Sequence, residues 1–218
     1  MPPTTSFTPQ SVINTARLRH PGLSILVLDD PELVDDYNQS TRMLMTQVIK
    51  TKREALMQET ADLAVAGADG GRIDLEFPEG ELVGIPTAIE AVTAGGRSRV
   101  LLKTNIEHRE AMAREFIDDG RPAAIIIRDT VNNRWELVEV VNWTGVTAIS
   151  VFATFFPVDV TVGTLNTEVL LPFILFGPLV EQMALQLGHR ADVSLEWKQG
   201  QQQEVVASLQ SALTEFAL

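Results

Sequence analysis

The sequence predicts an α+β protein: a helical bundle, made of a long N-terminal helix and C-terminal helices, with an inserted antiparallel β section. Three observations lead there. Apolar residues recur at three-to-four spacing over residues 31–65, short alternating pieces follow the Gly67, Gly70 and Gly71 cluster, and helical spacing returns from about Leu170. The expected organisation is an N-terminal arm and strand at 1–30, a helical segment at 31–66, a β-rich section with one short helix at 67–163, and C-terminal helices at 164–218 that complete the bundle.

Each element has a local reason. Met1 to Gln10 carries Pro and Thr without a basic stretch followed by an apolar one, so it reads as a loose or partner-ordered arm and not as a signal peptide. Leu23 to Leu28 (LSILVL) reads as a strand between Pro21-Gly22 and Asp29-Asp30-Pro31. Asp30 then caps a helix with Pro31 at its first position. Tyr37, Leu44, Met45, Val48, Ile49, Leu56 and Leu63 share helical spacing, and no Pro or Gly interrupts them before about Val65.

Beyond the glycines, Ile73, Leu75 and Phe77 alternate with Arg72, Asp74 and Glu76, which predicts a half-buried strand. Ile85 to Val92 and Arg99 to Lys103 flank Gly95-Gly96, the turn of a hairpin. Asn105 to Asp118 reads as a short amphipathic helix closed by Gly120 and Pro122. Ala124 to Arg128, Trp135 to Val141 and Thr147 to Phe156 read as further strands, with Asn132-Asn133 and Gly145 in the turns. Two helices end the chain, Leu170 to Leu187 stopped by Gly188, and Gly200 to Phe216.

Composition limits the function. The chain has 218 residues, 45% of them hydrophobic, and a net charge of -12, enough apolar content for a core and an overall field that repels phosphate backbones. It has no cysteine, which excludes disulfides, thiolate zinc sites and thiol nucleophiles. The longest apolar stretch, Val169 to Val180, is broken by Pro172, Gly177 and Pro178 and falls short of the roughly 20 residues that span a bilayer, so no membrane role is expected.

Motifs that would carry catalysis are missing at their required spacings. No serine stands in a Gly-x-Ser-x-Gly frame, and the glycines of Gly67 to Arg72 lack the Lys and hydroxyl of a phosphate-cradling loop. His20, His108 and His189 are too far apart in sequence for a local two-histidine metal motif. His108 has Glu107 and Glu110 beside it, the only nucleus for an alternative reading as a small metal-assisted enzyme; on a charged helix these residues form a solvated face. Asp29-Asp30, Asp35-Asp36 and Asp118-Asp119 lack calcium-loop spacing, and the first two pairs suit a helix N-terminus. Arg17, Arg19 and His20 form a small basic cluster without aromatic interleaving. The expectation is therefore a non-enzyme with no catalytic residue, metal or cofactor.

A partner surface is expected instead at the apolar C-terminus. Leu209, Leu213, Phe216 and Leu218 are its candidate residues, because an apolar terminus needs either a partner or its own bundle to hold it.

The order of parts resembles the head-to-tail adaptor (connector) proteins of tailed bacteriophages. The resemblance covers about residues 31–218. It runs through the helical segment from Pro31, RIDLEFPEGELVGIPTAIEAV, SRVLLKTNIEHREAMAREFIDDGRPAAIIIRD, ISVFATFFP and the leucine-proline helix LLPFILFGPLVEQMALQLG. Gly177-Pro178 departs from the family, as does a β section without tyrosine. The resemblance implies a structural virion protein, assembled in the host cytoplasm and placed in the neck. About twelve copies would form a ring that joins the portal to a neck or tail protein, extends the DNA channel and lets DNA pass without specific binding. A neck stopper or tail-completion protein would share this composition and order.

Overall fold

The computed structural model describes residues 6–60, 62–65, 71–75, 77, 80–104, 120–129, 134–169 and 171–215. The chain forms two compact units, one from Met1–Leu56 with Phe156–Leu218, the other from Met57–Phe155.

The first unit is helical. Thr8 caps α1 (Pro9–Arg17) by accepting from the Ser11 amide at 3.2 Å, with Pro9 at the first position where its missing N–H costs nothing. Before it, Phe7 is buried and its carbonyl accepts from the Val169 amide at 3.0 Å, so the expected loose arm is corrected at this point: Phe7 to Gln10 is ordered by the chain itself. The expected strand Leu23 to Leu28 is also corrected. Pro21 and the His20 cap start a short helix, α2 (Pro21–Ser24), and β propensity yields a strand only where a partner strand exists.

α3 (Asp30–Lys52) begins with a capping box in which Asp29 accepts from the Glu32 amide at 2.9 Å while Glu32 accepts from the Asp29 amide. Asp29, and not Asp30, is thus the cap. Leu33, Val34, Tyr37, Leu44, Met45 and Val48 form its buried face. The helix stops well short of Val65: a 3-10 turn, Arg53–Leu56, follows, and then β1 (Met57–Glu59) and β2 (Leu63–Ala64). Residues 57–59 and 63–64 are drawn off by pairing with a strand far along the chain, a tertiary cause with no local stop signal.

At the other end, a 3-10 turn at Phe173–Leu175 leads into α4 (Phe176–Arg190), and α5 (Leu195–Glu215) follows. Pro178 lies in the first turn of α4, where proline is tolerated, so Gly177-Pro178 marks a start and not an interruption. Leu179, Val180, Met183, Ala184 and Leu187 pack into one core with α1 and α3 residues.

Gly188 and Gly200 were expected at helix ends, and both lie inside helices. Ser194 supplies the actual start of α5, its hydroxyl accepting from the Trp197 amide at 3.2 Å. The two glycines predict opposite outcomes. A Cβ at Gly188 would stand 2.5 Å from the Trp197 ring, so Gly188→Ala is expected to cost about 1–3 kcal/mol by overpacking. A Cβ at Gly200 meets nothing within 4 Å, so Gly200→Ala is expected to stabilise by about 0.5–1 kcal/mol through helix propensity. Urea titration of the two variants checks both signs.

The second unit is built from β strands. β10 (Val146–Pro157) is the spine of a six-stranded sheet: β1 and β2 pair along it, as do β4 (Gly80–Leu82) and β5 (Ala88–Thr93). β6 (Gly96–Arg99) forms the expected hairpin with β5, Thr93 facing Gly96. At Val100 the chain changes sheet. β7 (Leu101–Lys103) belongs to a four-stranded sheet in the order β3 (Ile73–Leu75), β9 (Arg134–Val141), β8 (Ala123–Asp129), β7. β7 and β8 are parallel, which requires a long crossover; the stretch expected from sequence to be a short helix, Asn105 to Asp118, lies outside the described residues. Glu139, at φ 52, is the extra residue of a bulge where the β8–β9 register shifts.

Residues of both sheets, Ile89, Ile149 and Val151 among them on one side and Ile126 and Leu137 on the other, share one core. The opposite face of the four-stranded sheet buries Ala123, Ile125 and Val138. This layout corrects the expected fold class. The protein is mixed α+β with 29% strand in two sheets and five α-helices among the described residues, not a mainly helical bundle with an inserted antiparallel β section. Residues 57–59 and 63–64 join a sheet instead of a helix, and the parallel β7–β8 pair breaks the antiparallel expectation.

Candidate functional site

The helical unit leaves several large apolar side chains in water. Leu18 follows α1, and the segment after α2 leaves Ile25 and Val27 in water while Leu23 faces the core. Leu18, Ile25 and Val27 are 81%, 78% and 92% exposed, and Leu195, at the start of α5, is 70% exposed. Two contacts tie these pieces together. The His20 ring lies 5.2 Å from that of Trp197, and the Gly22 backbone abuts Val193. Arg17 steadies the segment by donating to the Leu26 carbonyl at 3.3 Å. Large side chains held in water on an ordered segment make this segment the candidate interaction surface of the helical unit.

The basic cluster beside it is already committed. Arg19 pairs with Glu181, and the His20 Nδ1 accepts from the Gly22 amide at 2.9 Å as the cap of α2. His189 is an exposed residue in the last turn of α4, where a basic side chain suits the helix C-terminus.

Titratable groups elsewhere form ion-pair hubs. In the helical unit Asp36 is buried and receives the Arg190 Nε at 2.8 Å, while the Arg190 Nη1 reaches Glu32 at 3.2 Å. Burial raises the Asp36 carboxyl above the usual aspartate range, and Arg190 partly offsets that. Tyr37, also buried, has its phenol pushed up to about 12 by burial.

In the β unit, Glu136 has a fully buried side chain between Arg72 (3.1 Å) and Arg134 (3.1 Å), and Arg134 also reaches Asp74 at 2.7 Å. Arg97 joins Glu59 and Asp62, and Ser150 donates to Glu59 at 2.7 Å. The Ser150 hydroxyl first, then Arg97, hold the Glu59 carboxyl below its usual range. Both hubs match each carboxylate with a cation, an arrangement that fastens strands. Among the described residues no group of three or more His, Asp or Glu is placed to hold a metal ion, and no helix is long and apolar enough to cross a membrane.

The residues proposed from sequence fall as follows. Leu209 is buried in the helical unit's own core and Leu213 packs against that core, while Phe216 and Leu218 lie outside the described residues. His108, Glu107, Glu110, Asp118, Asp119 and Gly67 also lie outside them. Asp29 serves as the cap of α3 and Asp36 as the buried partner of Arg190. Sequence reasoning missed Leu18, Ile25, Val27 and Leu195 as a surface. The signal was there in LSILVL, an apolar run with no neighbouring strand to cover it. No protein-family model and no curated protein matches this chain.

Proposed function

We propose that the protein is a structural subunit of a tailed-bacteriophage virion, a head-to-tail adaptor whose copies form a ring between the portal and the next neck or tail protein. The observation that carries this reading is the exposure of Leu18, Ile25, Val27 and Leu195, large apolar side chains that a subunit built for assembly would bury against a neighbour. The portal as that neighbour comes from the resemblance of the sequence over about residues 31–218 to that family. The net charge of -12 suits a channel that must let DNA slide, because a basic wall would retain the duplex through phosphate contacts.

Mixing the purified protein with portal rings from the phage that encodes it, followed by electron microscopy, tests the reading. A ring stacked coaxially on the portal is expected. Ile25→Asp with Val27→Asp should lower portal affinity at least about tenfold, since charge placed in an apolar contact is desolvated without a partner. Both positions are exposed, so folding should change by no more than about 0.5 kcal/mol. Failure to bind the portal, or binding that the double variant leaves intact, would overturn the assignment.

A further inference from the structure

The outward face of α5 is uncharged along most of its length, in a protein with 29 acidic and 17 basic residues. Gln199, Gln202, Gln203, Val206, Ala207 and Gln210 line a shallow, open groove there, at the three-and-four spacing of a single helix face. Glu196 stands one turn before the stripe on the same face, Glu204 and Glu215 fall on the flank, and the opposite face, with Gln201, Val205, Leu209 and Ala212, is buried in the unit's own core. Val206 is left exposed in the middle of the stripe.

We propose that this face packs against a second copy of the same chain. The argument is electrostatic. Two copies that each carry -12 repel one another, and like charges set opposite each other in a contact cost several kcal/mol. A copy therefore meets its neighbour at least cost through a surface without charge, and the core of an interface is where charged residues are depleted. Glutamine meets a second need. Its amide both donates and accepts, so it pairs with another amide or with exposed backbone and requires no counter-ion from a neighbour that is itself acidic. A basic partner would be served better by the acidic surfaces available elsewhere on the chain.

The inference deepens the proposed ring and rests on it in requiring several copies, but it names the surface independently of the portal. Sedimentation velocity over a range of concentrations and salt tests it, together with a thiol probe. Self-association is expected to strengthen with added salt, which screens the net repulsion, whereas an interface held by ion pairs would weaken. Gln203→Glu with Val206→Glu should raise the dissociation constant at least about tenfold. The chain has no cysteine, so Ala207→Cys introduces one thiol without background. That thiol should react more slowly with a maleimide at concentrations where copies associate than in the diluted monomer. Both variants change exposed positions, and circular dichroism confirms that each still folds.

A chain that stays monomeric at every concentration overturns the proposal, as do assemblies that Gln203→Glu with Val206→Glu leaves intact and in which the thiol at position 207 stays fully reactive. In the latter case the ring reading survives with a different contact. Loss of portal binding by a chain that still associates through this face would instead defeat the adaptor assignment alone.

Discussion

Replacing Arg190 with methionine is expected to lower stability by about 3 kcal/mol at neutral pH, because it strands the buried Asp36 carboxylate without its cation. Asp36 is 1% exposed at its side chain and Arg190 is 38% exposed, so the loss falls at the lower end of what breaking a buried pair costs. The pH dependence is the sharper reading. Burial already raises the Asp36 pKa in the folded state, with Arg190 as the main opposing influence by charge and by hydrogen bond.

A carboxyl whose folded pKa lies above its unfolded value favours folding below the unfolded value. That contribution is lost as pH rises through the folded value. Without Arg190 the folded pKa climbs further, so the loss extends to higher pH. The deficit of the variant against the native protein should therefore be small at about pH 4 and full at about pH 7. Adding Asp36→Leu to Arg190→Met should recover most of the loss, since apolar residues of similar size replace a buried pair at little cost. Urea titrations at the two pH values check this; a deficit that does not change with pH would mean that lost packing, and not the carboxylate, is responsible.

The buried pair also shows where sequence stops being informative. Asp35-Asp36 was legible as a pair near a helix start, and its neighbour Asp29 does cap that helix. That Asp36 turns inward to meet Arg190, 154 residues away, depends on how α3 and α4 pack, and no local pattern carries that. The same division holds for the elements. The inward face of α3 was legible because 3.6-residue spacing survives wherever one side is buried. Its end at Lys52 was not, because what stops it is the pairing of Met57 to Glu59 with Phe152 to Thr154.

In the β unit, Ile73 and Leu75 alternate with Asp74 as period two requires, and the Gly95-Gly96 hairpin forms. Arg99 to Lys103 read as one strand yet serves two sheets, divided at the buried Val100. β9 reads as alternating but buries Glu136, Leu137 and Val138 in succession. Leu137 and Val138 face different cores, and the two arginines keep Glu136 out of water, a case only the assembled sheet reveals. The segment with Ile25 and Val27 was misread for a related reason. An apolar run in a sequence states a preference for burial, and whether Ile25 and Val27 find cover within the chain depends on what packs beside them.

The largest single loss in the β unit is expected at Trp143. It is 2% exposed, the largest of the fully buried side chains, and sits at the turn that carries the chain from β9 into β10. Asn142 and Gly145 on either side adopt positive φ, and the Trp143 carbonyl accepts from the Val146 amide at 3.0 Å, so the ring is delivered to the core by a tight local geometry. That core joins residues of both sheets. Trp143→Ala should cost about 3–5 kcal/mol, the transfer energy of a buried indole plus the cavity it leaves. Trp143→Phe, which keeps most of the ring volume, should lose about half as much.

Val158→Ala is the control, since Val158 is largely in water and should shift stability by no more than about 0.5 kcal/mol. Fluorescence gives an independent readout, because Trp135 and Trp197 are both partly exposed and only Trp143 is fully buried. The bluest part of the native emission should vanish in Trp143→Ala and Trp143→Phe alike, while only the alanine variant loses most of its resistance to urea. If alanine at position 143 cost no more than alanine at 158, the two sheets would not depend on a common core around this indole, and the architecture of the β unit would have to be redrawn.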